Sequence, residues 1–234
     1  EKLTGIEGAF NTRVAYITVK KNKTKKIHTL YIADADGYNA KMLLESPEPL
    51  LSPSWSYDGK KIAYVSFEGK NSSVFIQDIS TGKRVRVSKF EGINSSPSWS
   101  PDDSHLAVTL SKDGNTEIYV INLITKSLKR ITNHDGIDTE PTWSPDGQKL
   151  AFTSNRSGSP QIYEITINKG KPKRLSFEGT YNARARYSPD GNSITLVHSS
   201  GNSYHIAILD LNNGYINILT DGPLDESPSF APNG

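Results

Sequence analysis

Ser96-Pro97-Ser98-Trp99-Ser100-Pro101-Asp102-Asp103 and Glu140-Pro141-Thr142-Trp143-Ser144-Pro145-Asp146-Gly147 decide the fold of this chain. The first has a forerunner in Ser52-Pro53-Ser54-Trp55-Ser56-Tyr57-Asp58-Gly59. The second has a successor in Ala185-Arg186-Tyr187-Ser188-Pro189-Asp190-Gly191. A last copy, Ser227-Pro228-Ser229-Phe230-Ala231-Pro232-Asn233-Gly234, ends the sequence. The aromatic positions 55, 99, 143, 187 and 230 lie 44, 44, 44 and 43 residues apart. A fixed period in that range marks a stacked array or a propeller.

One period holds four short strand-like runs. In the third copy the first is Glu140 to Ser144, closed by Pro145-Asp146-Gly147, where proline presets φ and glycine accepts a positive φ. Lys149 to Ser154, Gln161 to Ile167 and Lys173 to Ser176 follow, rich in β-branched and aromatic residues. No stretch carries a helical period, so the class is all-β. Four antiparallel strands repeated radially bury their faces against neighbouring sheets, the arrangement of a β-propeller. The first-strand aromatic is expected between blades, and truncating Trp99 or Trp143 to alanine to cost about 3–5 kcal/mol.

Counting strands predicts a six-bladed ring that is incomplete in this chain. Residues 13–46 supply three strands of blade one (13–17, about 29–33 and about 41–45) without its first; four full blades follow, then the lone first strand of blade six. The propeller is thus expected over 13–234, with 1–12 as a lead-in from a preceding domain. About 40–50 residues are expected to be missing at the C-terminus by the repeat length. The C-terminal strand of a complete ring would close blade one.

Composition excludes several classes. There are no cysteines, hence no disulfide frame or thiolate chemistry, and the formal net charge of +2 exerts no strong pull on nucleic acid or lipid. No apolar run approaches the ~20 residues that span a bilayer. The five histidines are scattered without metal-site spacing, and there is no Gly-x-Ser-x-Gly elbow, Walker loop or dinucleotide fingerprint. These absences predict no catalytic residue, cofactor or metal. Asp34 and Asp36 with Glu45 imitate a calcium loop, but Asn39 stands where glycine is needed, so a hairpin turn is expected. The lysines 20, 21, 23, 25 and 26 have no interleaved aromatics and read as a solvated hairpin tip. Arg84, Arg86, Lys129, Arg130, Lys173 and Arg174 fit either a basic rim for an acidic partner or charge that blocks pairing at outer edges; the edge reading is preferred.

The repeats resemble those of the TolB family. Two stretches carry the likeness: Glu1 through Tyr16, similar to the segment leading into that family's first blade, and Asp138-Thr139-Glu140-Pro141-Thr142-Trp143 with Leu150-Ala151-Phe152-Thr153-Ser154. The Asp34-Ala35-Asp36-Gly37-Tyr38-Asn39 turn adds to it. The resemblance implies a non-enzymatic periplasmic protein of the Tol–Pal envelope system, whose propeller binds the lipoprotein Pal and supports outer-membrane integrity. It implies further that bacteriocin translocation peptides borrow the same surface, and that TolA is met only through an N-terminal domain outside this sequence. Similar repeats occur in prolyl-oligopeptidase-type serine peptidases, where the ring screens substrates for a hydrolase domain. A small α/β domain before Glu1 would favour the first reading, and a Gly-x-Ser-x-Gly domain after Gly234 the second.

Loops from each outer strand to the next inner strand gather at one mouth of a propeller's channel, and function concentrates on such loops. Their candidate partner-binding residues are Leu51, Ser52, Ile93, Asn94, Ser96, Asp138, Thr139, Glu140, Asn182, Arg184, Asp225 and Glu226. The resemblance places Pal contact at Ile93, Ser96, Thr139 and Glu140 in particular, whereas Thr139 and Glu140 could also merely begin a strand and bond locally. A calcium ion held by Asp138, Glu140 or Glu226 is only weakly motivated. The Pro-Asp-Gly turns lie on the opposite mouth, their acids expected to bond their own backbone.

Overall fold

Blades two to five are each built on a second strand buried on both sides, as in His105-Leu106-Ala107-Val108-Thr109-Leu110, whose last five residues are buried. Such a strand lies between two neighbouring sheets and therefore lacks the polar alternation of a half-exposed one. The computed structural model describes residues 12–21, 23 and 25–231, and among these all regular structure is strand.

Blade one has three strands, β1 (Arg13–Lys21), β2 (Lys26–Asp34) and β3 (Lys41–Ser46), in the order β1-β2-β3. Blade two is β4 (Leu50–Trp55), β5 (Lys61–Gly69), β6 (Asn71–Asp78) and β7 (Arg84–Ser88). Blade three is β8 (Asn94–Trp99), β9 (His105–Leu110), β10 (Glu117–Asn122) and β11 (Leu128–Arg130). Blade four comprises β12 (Asp138–Trp143), β13 (Lys149–Ser154), β14 (Gln161–Thr166) and β15 (Lys173–Arg174). Blade five comprises β16 (Tyr181–Tyr187), β17 (Ser193–Ser199), β18 (His205–Asp210) and β19 (Ile216–Ile218). Each sheet is an antiparallel meander, and the first strands β4, β8, β12 and β16 are neighbours in space.

The described residues thus form five blades, not six, which corrects the six-bladed expectation. The lone strand foreseen for a sixth blade is not a strand: residues 225–231 are irregular, and 232–234 lie outside the described residues, as does the lead-in over 1–11. A first strand is held by its blade's second strand, and the described residues offer none to it. Its beginning is nevertheless docked, through a parallel bridge of Leu224 to Tyr204 and the Asp225 amide donating to Tyr204 O at 2.9 Å.

Adjacent blades are joined by the repeating aromatic. Trp99 packs with Ala63 of blade two, Trp143 with Ala107 of blade three, and Tyr187 with Ala151 of blade four. The small alanine leaves room for the large ring of the next blade. Both buried indoles also donate across the gap, Trp99 Nε1 to Ser54 O and Trp143 Nε1 to Ser98 O, each at 3.1 Å. Among the described residues Trp55 Nε1 has no such acceptor, and none of them forms an inner strand of blade one that would supply a carbonyl. Arg13 lies over its ring instead, at 4.8 Å.

The Pro-Asp-Gly turns behave as expected. Asp58, Asp102, Asp146 and Asp190 each accept from the serine two residues before and the amide two residues after. Those bonds hold Asp102 and Asp190 down at about 2, the serine hydroxyls first among the causes. The calcium-like stretch is a turn, with Asn39 Nδ2 donating to Asp34 Oδ2 and Gly37 at φ 86°. Several outer-strand cations are engaged within the chain: Arg84 with Glu68 at 2.7 Å, Arg130 with buried Glu117 at 2.9 Å, and Arg174 with Ser176 O at 2.6 Å.

Candidate functional site

The first strands of blades two to five are each broken near their start. Pairing with the second strand slips between Leu51 and Ser54, Ser95 and Ser98, Thr139 and Thr142, and Ala183 and Arg186. At each slip one residue is left-handed: Ser52 (φ 51°), Ser96 (φ 49°), Glu140 (φ 55°) and Arg184 (φ 58°). Ser227 (φ 63°) repeats the conformation at the start of the irregular C-terminal segment. None is glycine, and a left-handed L-residue costs about 1–2 kcal/mol. A bulge kept in each of blades two to five bends the strand and re-aims a side chain at the end of the channel.

Two consecutive bulge residues, Glu140 and Arg184, are linked by charge. Glu140 Oε2 accepts from Thr153 Oγ1 at 2.9 Å and from the Arg184 amide at 3.1 Å, and its Oε1 lies 3.4 Å from Arg184 Nε. Arg184 reaches onward, donating Nη1 to Ser227 Oγ at 2.6 Å and pairing with Glu226 at 3.3 Å. An arginine thus stands between the two carboxylates that a cation would need. Among the described residues no three His, Cys, Asp or Glu side chains converge as a metal site.

Two residues before Ser96, Glu140, Arg184 and Ser227 a polar side chain anchors the loop behind it, whereas the buried Leu50 holds that place before Ser52. Asn94 receives Ser88 Oγ and the Phe90 amide, and donates to Phe90 O at 2.7 Å. Asn182 donates to Gln161 Oε1 and Glu178 O and bonds His198 Nδ1 at 2.9 Å. Asp138 accepts from Arg156 Nη2 at 2.6 Å, and burial raises its carboxyl above the ordinary value despite Ser154 and Arg156. Asp225 accepts the Gly222 amide at 3.1 Å.

Large apolar side chains stand free on the same face: Leu51 is 48% exposed, Ile93 46%, Ile137 51% and Leu224 64%. Leu51 and Ile93 border a groove of about 480 Å³ floored by Val65 and Phe67 and flanked by Lys70 and Glu91. A second cavity of about 440 Å³ opens between blades three and four by His105, Trp143 and Asp146, and none of the mouth residues lines it.

A family model described as the TolB beta propeller domain matches residues 1–234, the whole chain. The chain belongs to the TolB β-propeller family. A Tol-Pal system protein TolB of Xanthomonas oryzae pv. oryzae (strain PXO99A) is 55% identical over 96 residues, 41% of this chain and 22% of that protein. The crystal structure of TolB from Acinetobacter baumannii superposes with a TM-score of 0.93 at 51% identity, over 99% of this chain and 58% of that one. This chain therefore spans little more than half the length of that TolB. A puromycin-hydrolyzing peptidase of Mycobacterium tuberculosis aligns with a TM-score of 0.61 at 14% identity, over 87% of this chain and 38% of that one, a likeness of fold alone.

Within this TolB-family propeller, the twelve residues chosen from the sequence divide in two. Leu51, Ser52, Ile93, Ser96, Thr139, Glu140, Arg184 and Glu226 lie on or beside the bulges with at least part of their surface open. Asn94, Asp138 and Asn182 are fully buried and partly exposed Asp225 bonds its own loop, so these four shape loops and the first three present no side-chain surface. Sequence reasoning foresaw short polar loops of little bulk; the structure adds the exposed Ile137 and Leu224 and the left-handed tier. A signal for that tier was present, since Pro53, Pro97 and Pro141 inside paired strands mark a bulge or an open edge.

Proposed function

We propose that this propeller is a non-enzymatic, periplasmic protein-binding module of the Tol–Pal system, that it binds Pal at the channel mouth, and that it thereby supports outer-membrane integrity. The observation that carries the reading is the set of exposed Leu51, Ile93, Ile137 and Leu224 on the face that also presents Glu140, Arg184 and Glu226. Apolar side chains beside polar groups on a rigid frame form a protein-interaction surface, with buried apolar anchors and a polar rim. The relatives are named for the Tol-Pal system, which supports Pal as the partner. Bacteriocin translocation peptides would use the same mouth and compete with Pal. TolA would be met by a domain outside this chain.

The test is titration of the soluble domain of Pal from the same bacterium into the full-length protein, with Ile93→Glu and Thr139→Arg as variants. Each is expected to weaken binding at least tenfold, since a charge forced into an apolar contact or bulk into a close one costs more than about 1.4 kcal/mol. Thermal unfolding should stay within a few degrees of wild type, as both side chains are at least partly exposed. A folded wild-type protein that ignores Pal would refute the reading.

A further inference from the structure

We infer that the lysine hairpin of blade one is an electrostatic arm of the mouth, steering a partner with an acidic protein surface onto it. This rests on the reading of the mouth as a protein-binding site and adds the partner's chemistry. Lys20, Lys21, Lys23, Lys25 and Lys26 are all exposed. Their charge exceeds the formal net charge of +2 of the whole chain, so the remainder is net acidic. No Asp or Glu occurs between Arg13 and Ala33, and among the described residues none of the five lysines is in an ion pair.

The placement follows from the topology. First strands run from the mouth to the Pro-Asp-Gly turn and second strands return, so hairpins between second and third strands stand at the mouth. In blade two that hairpin contributes Lys70 and Asn71 to the groove beside Leu51 and Ile93. The blade-one hairpin is its counterpart, since β1 is a second strand and β2 a third. From matching starting points β1 and β5 both run nine residues and β9 six, so the lysine hairpin stands as far out as the blade-two hairpin beside the groove and about 10 Å beyond that of blade three.

The hairpin holds these charges at a cost. Lys21 is paired directly with Lys26 across the strands, and like charges so placed repel. An edge-guard role would spread basic residues along β1, yet before Lys20 only Arg13 is basic. Lysines gathered at a tip beside an apolar mouth instead suit an approaching anionic surface, which such a field attracts from beyond contact range. A protein is favoured over a bilayer because one partner can cover the hairpin and the mouth together, and the lysines from 20 to 26 are interleaved with no aromatic anchor.

Stopped-flow association of the soluble Pal domain with the full-length protein, from about 20 to about 500 mM salt, tests this. The wild-type association rate should fall about tenfold or more over that range. The variant with Lys20, Lys21, Lys23, Lys25 and Lys26 all changed to Gln should associate about tenfold more slowly at low salt, respond little to salt, and dissociate at nearly the wild-type rate. Changing the same five to Glu should slow association further. Equal association by wild type and both variants, with Pal still bound, would overturn the steering role and leave the mouth reading intact. So would lysine-dependent binding to anionic phospholipid vesicles with Pal association unchanged. Failure of the folded wild type to bind Pal would remove both.

Discussion

At position 140 glycine should be better tolerated than alanine, the reverse of their usual order in a strand. Glu140 is left-handed at φ 55°, and its carboxylate holds Thr153 Oγ1, the Arg184 amide and the Arg184 guanidinium. Alanine removes all three contacts and keeps the backbone strain. Hydrogen bonds to a charged group are worth about 1.5–3 kcal/mol each, and a half-exposed ion pair about 0.2–1. The Arg184 amide retains Thr153 Oγ1 as an acceptor at 3.1 Å, so the net loss for Glu140→Ala falls at the low end, about 2 kcal/mol. Glycine loses the same contacts but is relieved of about 1–2 kcal/mol of left-handed strain, against about 0.5–1 for its freer unfolded chain. Glu140→Gly should therefore be more stable than Glu140→Ala by about 0.5–1 kcal/mol, a gap of about 1–4 °C in Tm for a domain of this size. Thermal and urea unfolding followed by circular dichroism on the full-length protein would measure it. An alanine variant as stable as the glycine variant, or more so, would refute the claim that the bulge tier is strained.

Other positions give sharper single outcomes. Gly179→Ala should cost about 3 kcal/mol in urea unfolding, because at φ 74° its Cβ would stand 2.4 Å from His198 Cε1 and 2.7 Å from Ser199 O. Gly158→Ala, at φ 99° with open space around it, should cost only about 1 kcal/mol. Trp143→Ala should lose about 3–5 kcal/mol in the same assay, since the ring is buried between blades and its Nε1 bonds Ser98 O. Burial lowers the pKa of His198, so its contribution to stability is complete above the unfolded value of about 6.5 and is lost as pH falls through the depressed folded value. The wild-type midpoint should drop on acidification below about pH 6.5 more steeply than that of His198→Gln.

The fold was legible because its signal is periodic and local. Pro-Asp-Gly turns, strand-length apolar runs and an aromatic every 44 residues each recur, and Lys149–Ser154 was bounded correctly while β12 and β14 shifted by one or two residues. The blade count failed where pattern and pairing part company. Ser227 to Phe230 has the composition of a first strand and no second strand beside it. The candidate site was half legible. Alternation in an unbroken strand cannot tell that Asn94, Asp138 and Asn182 turn inward, because a bulge shifts register by one residue and exchanges the faces. The proline after Ser52, Ser96 and Glu140 carries that information, because a proline inside a paired strand marks a bulge or an open edge.

The bulge tier has one backbone and several side chains, and this separates what the ring conserves from what it can use to discriminate. Ser52, Ser96, Glu140, Arg184 and Ser227 share a conformation to within about fifteen degrees of φ, although their chemistry ranges from hydroxyl to both charges. The conformation therefore belongs to the propeller and the side chains are free to serve recognition. They are not evenly distributed. Blades two and three offer serines beside Leu51, Ile93 and their groove; blades four and five with the segment after them offer Glu140, Arg184 and Glu226 in one paired chain. A partner seated on this mouth must place an apolar group on one side and polar groups on the other. Ile93→Glu and Arg184→Ala, on opposite sides and without a shared contact, should then weaken Pal binding independently. Their effects should add to within about 0.5 kcal/mol in a double-mutant cycle. A coupling well above that would mean that the two sides grip the same group, and the division of the mouth into an apolar and a charged half would fall.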